Sequence, residues 1–310
     1  MLKSLKIDNF KSLVNLTLEP APINLLVGAN NAGKTNLCQA LRFLSLTSRL
    51  SLDDAAEACS AEPWNLLNVY VQSRDLSLSV GCELALDGQP LNFTYDLVVS
   101  SRRDSHVPIR GRPFAVKSEA LRVSGGRFSN TVLLENLAGH VRILHEPRFL
   151  AQQASALPQY ITTKAPLEAT MLFRLFDLED NQRSNLFKRY LSAWGYYNLG
   201  APQLRNKQAR PMEFILDSAG ANLSSVLFHL HNAKPRLARQ LVEAVRLIEP
   251  RLDVFSFQTP DPEHVYMFLE DRANNKFSVD NTSDGTLRYE RQGQQTMNAS
   301  VIGRLTSPWA

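Results

Sequence analysis

Cysteine is scarce. The 310 residues hold three, Cys38, Cys59 and Cys82, and no two of them form a C-x-x-C pair. That excludes a disulfide scaffold and a cysteine zinc site, and it fits a reducing cytoplasm. Long apolar runs are missing as well: none approaches the roughly 20 residues that a membrane helix needs. The opening Met1-Leu2-Lys3-Ser4-Leu5-Lys6 sets lysines where a secretory signal needs an unbroken apolar core. Internal repeats and low-complexity tracts are absent. Charge of one sign is not in large excess, with 34 basic against 30 acidic residues and a net charge of +4. This balance permits contact with nucleic acid without demanding it. The 44% hydrophobic and 21% charged composition is that of a soluble globular protein, long enough for one large domain or two smaller ones.

Against these absences one stretch stands out. Gly28-Ala29-Asn30-Asn31-Ala32-Gly33-Lys34-Thr35-Asn36 reads G-x-x-x-x-G-K-[ST], a phosphate-binding loop. Gly28 and Gly33 let the backbone curl so that successive N–H groups face phosphate oxygens. Lys34 reaches the β- and γ-phosphates, and the Thr35 hydroxyl is a Mg²⁺ ligand. The helix that follows turns its positive end to the same phosphates. The flanks agree with the motif. Ile23-Asn24-Leu25-Leu26-Val27 is a short apolar run expected to form the buried strand that feeds the loop. Leu37, Leu41 and Leu44 then recur at helical spacing.

Further along, residues 2–8 and 14–18 predict two strands around a turn at Lys11-Ser12, and 34–48 a helix. Residues 51–68 read as irregular or partly helical. Strand-like runs at 76–80, 93–99 and 115–123, with turn signals at Asp87-Gly88-Gln89-Pro90 and near Gly111, predict an antiparallel meander. Residues 184–191 read as a helix stopping near Gly195, and 221–231 and 235–248 as two more. Strands return at 252–257 and 265–269.

Two stretches carry a family likeness. Leu5-Lys6-Ile7-Asp8-Asn9-Phe10-Lys11-Ser12-Leu13 precedes the phosphate loop, and Asn281-Thr282-Ser283-Asp284-Gly285-Thr286-Leu287-Arg288-Tyr289 lies far downstream. Together they resemble the ABC-type P-loop ATPases of the SMC/RecF/overcoming-lysogenization-defect group, bacterial AAA family ATPases. Gly220-Ala221-Asn222-Leu223 and Leu247-Ile248-Glu249-Pro250 look like further landmarks, and the likeness runs to about residue 289. The resemblance implies an α/β P-loop fold of ABC type with an antiparallel meander and a helical insertion at about 150–250. It implies ATP and Mg²⁺ as cofactors and a head-to-tail dimer. In such a dimer Ser283 and Gly285, in the signature of one subunit, meet the γ-phosphate held by the other. DNA repair, phage defence and toxin control all use this engine, so the process is not chosen by fold.

The likeness departs after Tyr289. The family continues with a Walker B strand ending in two acids, which hold Mg²⁺ and orient the attacking water. Here Glu290-Arg291-Gln292-Gly293 follows instead, and residues 290–310 read as a tail foreign to the family, as a frameshift or premature stop would leave. The expectation is an ATPase domain over 1–289 without its Walker B portion, with no catalytic residue assigned. ATP turnover by the chain alone is expected to be very slow or nil. The rival is a non-hydrolysing ATP-binding module or a gene remnant. A partner would be a second copy or a fragment that supplies the missing strand.

Other stretches are weaker. Val141-Arg142-Ile143-Leu144-His145-Glu146-Pro147 imitates a Walker B strand but sets His145 where the Mg²⁺-holding acid belongs; a structural strand end explains it better. In Asn275-Lys276-Phe277-Ser278 a serine replaces the acid a guanine reader needs. His229 and His231 point to different helix faces and do not share a metal. Arg102, Arg103, Arg110, Arg112, Lys117, Arg122 and Arg127 make a basic stretch with few aromatics. It reads first as a solvated sheet face and second as a DNA-contacting surface.

Overall fold

The computed structural model describes residues 1–278 apart from 61, 102–113, 152–156, 176–178, 198–207, 210–215, 248–249 and 262–263. The chain forms two compact units, Met1–Trp194 and Gly195–Ala310.

The first unit is built on an eight-stranded antiparallel sheet. Its strands are β1 (Leu2–Asp8), β2 (Leu16–Leu18), β3 (Asp75–Leu86), β4 (Gln89–Ser101), β5 (Phe114–Gly125), β6 (Phe128–Leu137), β7 (His140–Leu144) and β8 (Tyr160–Lys164), in the order β2-β1-β3-β4-β5-β6-β7-β8. The expected meander is present and longer than the apolar runs alone foretold. Alternation drives it. Leu76, Leu78 and Val80 on β3 and Phe93, Tyr95, Leu97 and Val99 on β4 bury one face, while the intervening residues are polar except for Val98. The β3–β4 turn at Asp87-Gly88 has φ of 50° and 75°. Two successive left-handed residues match the twist of a two-residue hairpin, and Gly88 takes that conformation without steric cost.

Three helices cover the buried face: α1 (Lys34–Leu46), α2 (Leu52–Cys59) and α5 (Gln182–Ser192). The short α3 (Glu146–Ala151) and α4 (Met171–Arg174) lie between them in sequence. Leu37, Ala40, Phe43 and Leu44 recur every three to four residues and put α1 into the core. Phe187 of α5 packs on Phe93 and Tyr95 at ring separations of 5.9 and 5.3 Å. Under α4 lies a fully buried carboxylate. Glu119 accepts hydrogen bonds from the Met171 and Leu172 N–H groups at 2.6 and 2.9 Å and from the Tyr95 hydroxyl at 3.0 Å. It satisfies helix-start donors that would otherwise be orphaned.

One expected element is different. Residues 23–27 form no strand: Ile23 is 75% exposed, Leu25 86% and Val27 83%. A strand exists through pairing, and among the described residues none lies alongside this run to share its backbone hydrogen bonds.

In the second unit α6 (Leu223–Ala233) and α7 (Pro235–Arg246) pack with β9 (Gln208–Ala209), β10 (Leu252–Gln258), β11 (His264–Asp271) and β12 (Lys276–Ser278). Leu227, Leu241, Val245, Phe255, Met267 and Leu269 form its core. The landmark at Gly220 is a helix entry: the Asp217 carboxylate accepts from the Ala219, Ala221 and Asn222 N–H groups just before α6. The signature at 281–289, the tail at 290–310 and the landmark residues Ile248 and Glu249 lie outside the described residues.

Candidate phosphate-binding site

Beyond β2 the backbone of residues 21–32 is exposed throughout. It is braced locally, with the Asn24 amide bonded to both the N–H and the carbonyl of Ala21. The chain turns at Asn30-Asn31, with Asn31 at φ 67°, and enters α1 through Gly33 at φ 90°. Of the two motif glycines only Gly33 is left-handed. A β-carbon at Gly28 would meet nothing closer than the Ala32 β-carbon at 3.4 Å.

Lys34 folds back over the loop. Its ammonium donates to the Gly28 and Ala29 carbonyls, both at 2.7 Å. An ammonium has three donors, so one N–H is left for an anion. No side chain caps α1, and its first turn holds no acidic residue. Among the described residues, no carboxylate caps its first N–H groups or sits in the first turn at the positive end of its dipole. These donors fit a phosphate. Thr35 is exposed in the same turn. The structure thus brings Gly28, Asn30, Asn31, Ala32, Gly33, Lys34, Thr35 and Asn36 into one loop and helix start. Ser283 and Gly285 lie outside the described residues.

The loop leans on the turn between β1 and β2. The Asn36 amide nitrogen donates to Ser12 Oγ at 2.7 Å, and Lys11 Nζ to Gln39 Oε1 at 2.6 Å. Burial lowers the Lys11 pKa from its ordinary value. A β-carbon on Gly33 would stand 3.1 Å from Ser12 Oγ and 3.3 Å from Leu13 Cδ2. The turn is rigidly held. Phe10 and Leu13 exchange backbone hydrogen bonds at 3.0 and 2.8 Å, and Lys11 N–H reaches the Leu66 carbonyl at 2.8 Å. The buried Asn9 amide donates to the Ser73 and Asp75 carbonyls, both at 2.8 Å. Sequence reading marked Asn9 to Ser12 as a landmark and missed these contacts.

Two other expectations meet the structure here. Glu146, the acid in the Walker B-like run at 141–147, starts α3 just after β7 and is occupied elsewhere. It is 2% exposed, pairs with Arg183 at 3.1 Å and accepts from the Arg183 and Ser184 N–H groups at the start of α5. Of the basic stretch, Lys117 pairs with Asp75 and Arg122 with Asp96. Arg127 donates to the Leu150 carbonyl and lies over the Phe149 ring. Arg102, Arg103, Arg110 and Arg112 lie outside the described residues.

Residues 1–192 match the AAA ATPase domain family. The chain belongs to that family. This ATPase domain is an α/β P-loop domain with an antiparallel sheet and helical segments, and the family associates it with ATP binding. The match ends at the last residue of α5, two residues short of the end of the first unit. No curated protein matches the chain. Among the described residues no helix is long and apolar enough to cross a membrane.

Proposed function

We propose that this AAA ATPase domain binds Mg-ATP on the loop from Gly28 to Thr35. The observation that carries the reading is the Lys34 ammonium, seated on the Gly28 and Ala29 carbonyls beside an uncapped helix start. Lys34 would neutralise phosphate charge, the loop N–H groups would orient the phosphates, and Thr35 Oγ would ligate the metal. Mg²⁺, when bound, offsets the negative charge of the phosphates.

The finer reading is an ABC-type ATPase of the SMC/RecF/OLD-like group that dimerises on ATP in DNA-related or defence processes. Its support is sequence: the Asn9-Phe10-Lys11-Ser12 opening and the Ser283-Asp284-Gly285-Thr286 signature. A second reading, nucleotide binding without turnover, is favoured by Glu146, whose carboxylate is committed to α5. Calorimetric titration of the full chain with Mg-ATP tests the proposal. Lys34→Ala removes a charge-assisted contact and should weaken binding by about 1.5–3 kcal/mol. Equal affinity in both proteins would refute it.

A further inference from the structure

The phosphate loop has little of the first unit's core around it. Residues 21–32 are exposed, and the run before the loop is unpaired among the described residues. Lys34 braces the loop only against its own carbonyls. What meets the loop from outside is the β1–β2 turn, and one side chain there does two things. Ser12 Oγ accepts from the Asn36 amide at 2.7 Å, and it sits 3.1 Å from the place a Gly33 β-carbon would take. Asn36 and Gly33 bracket Lys34 and Thr35. Ser12 therefore bonds one end, and stands beside the other, of the short segment that carries the cation, the hydroxyl and the helix-start N–H groups. Ser12 itself does not drift, because Asn9, Phe10 and Lys11 tie the turn to β3 and to Leu66.

We infer that Ser12 is a positioning residue for the phosphate loop, fixing the Gly33–Asn36 segment through its hydroxyl. This rests on the nucleotide reading above. The role is geometric: a phosphate needs several N–H donors aimed together, and a loop free to shift by about an ångström loses that convergence. Ser12 is exposed, so truncating its hydroxyl removes no buried apolar contact.

The test compares wild type, Ser12→Ala, Ser12→Thr, Asn36→Ala and the Ser12→Ala/Asn36→Ala double variant, all as full chains. Mg-ATP affinity is read by calorimetry, amide exchange over residues 28–36 by mass spectrometry without nucleotide, and the melting temperature by calorimetric scan. Ser12→Ala and Asn36→Ala should each weaken Mg-ATP roughly fivefold, the scale of one neutral hydrogen bond. The double variant should be no weaker than either single one, since both remove the same contact. Ser12→Thr should bind as wild type does. Exchange over 28–36 should quicken in Ser12→Ala while the melting temperature holds. Unchanged affinity, additive losses, or a drop in melting temperature that matches the loss of affinity would each overturn the inference. If wild type itself fails to bind Mg-ATP, the nucleotide reading falls. The exchange data then still decide Ser12: equal exchange in wild type and Ser12→Ala ends the positioning role.

Discussion

Glu119 shows what one buried side chain can impose on the whole unit. Burial pushes its carboxyl above the ordinary value of 4.5, although Met171, Leu172 and Tyr95 all donate to it. The folded protein therefore holds this proton more tightly than the unfolded chain does. The stabilising contribution is complete below 4.5 and is lost as pH rises through the raised folded value. Glu119→Gln carries no such slope. Melting temperatures measured from about pH 4 to pH 8 should show wild type losing stability relative to the variant as pH rises, and parallel curves would count against this. Glu119 was not legible in the sequence, because its partners lie 24 residues upstream, at Tyr95, and 52 and 53 downstream, at Met171 and Leu172. Lys34 was legible for the opposite reason: its partners, Gly28 and Ala29, sit six and five residues away, inside the motif that names it. Ser12 falls between, in a recognisable motif but bonded across 24 residues to Asn36.

Elements were legible where they make their own partners. Each strand from β3 to β7 pairs with the next along the chain, so alternation and a turn signal were enough to place the meander. Helices α1 and α5 declared themselves by apolar spacing. The run at 23–27 has strand-like composition, yet composition does not provide a neighbour. Its exposure has a measurable consequence. Leu25→Ser should change the unfolding free energy by no more than about 0.5 kcal/mol, as exposed positions do. Leu44→Ala, in the core on α1, should cost about 2–5 kcal/mol. Both are read by urea titration of the full chain. A loss at Leu25 comparable to that at Leu44 would show that residues 23–27 are packed in solution. An apolar stretch left bare in this way is also a patch open to association.

At the scale of the molecule, the family match and the first compact unit end within two residues of each other. The first unit has its own core, formed by the sheet with α1, α2 and α5. A fragment of residues 1–194 should fold on its own, melt cooperatively and keep Lys34-dependent Mg-ATP binding. It lacks Ser283 and Gly285, so on the proposed function it should sediment as a monomer with ATP where the full chain sediments as a dimer. A fragment that dimerises on ATP would move the interface away from the signature.

The sheet order carries one more consequence. Every neighbouring pair from β3 to β8 is joined through consecutive strands, whereas β1 reaches β3 across the whole stretch that holds the turn, the phosphate loop, α1 and α2. The sheet therefore has one seam of long loop closure and six between consecutive strands, β1–β2 among them. Opening the long seam releases Ser12 while the other six strands stay paired, a subglobal opening rather than unfolding. A ligand that binds only the closed form then adds its binding free energy to that seam. Nucleotide would act as a clasp on the β1–β3 pairing, and the hairpins beyond it would owe it nothing.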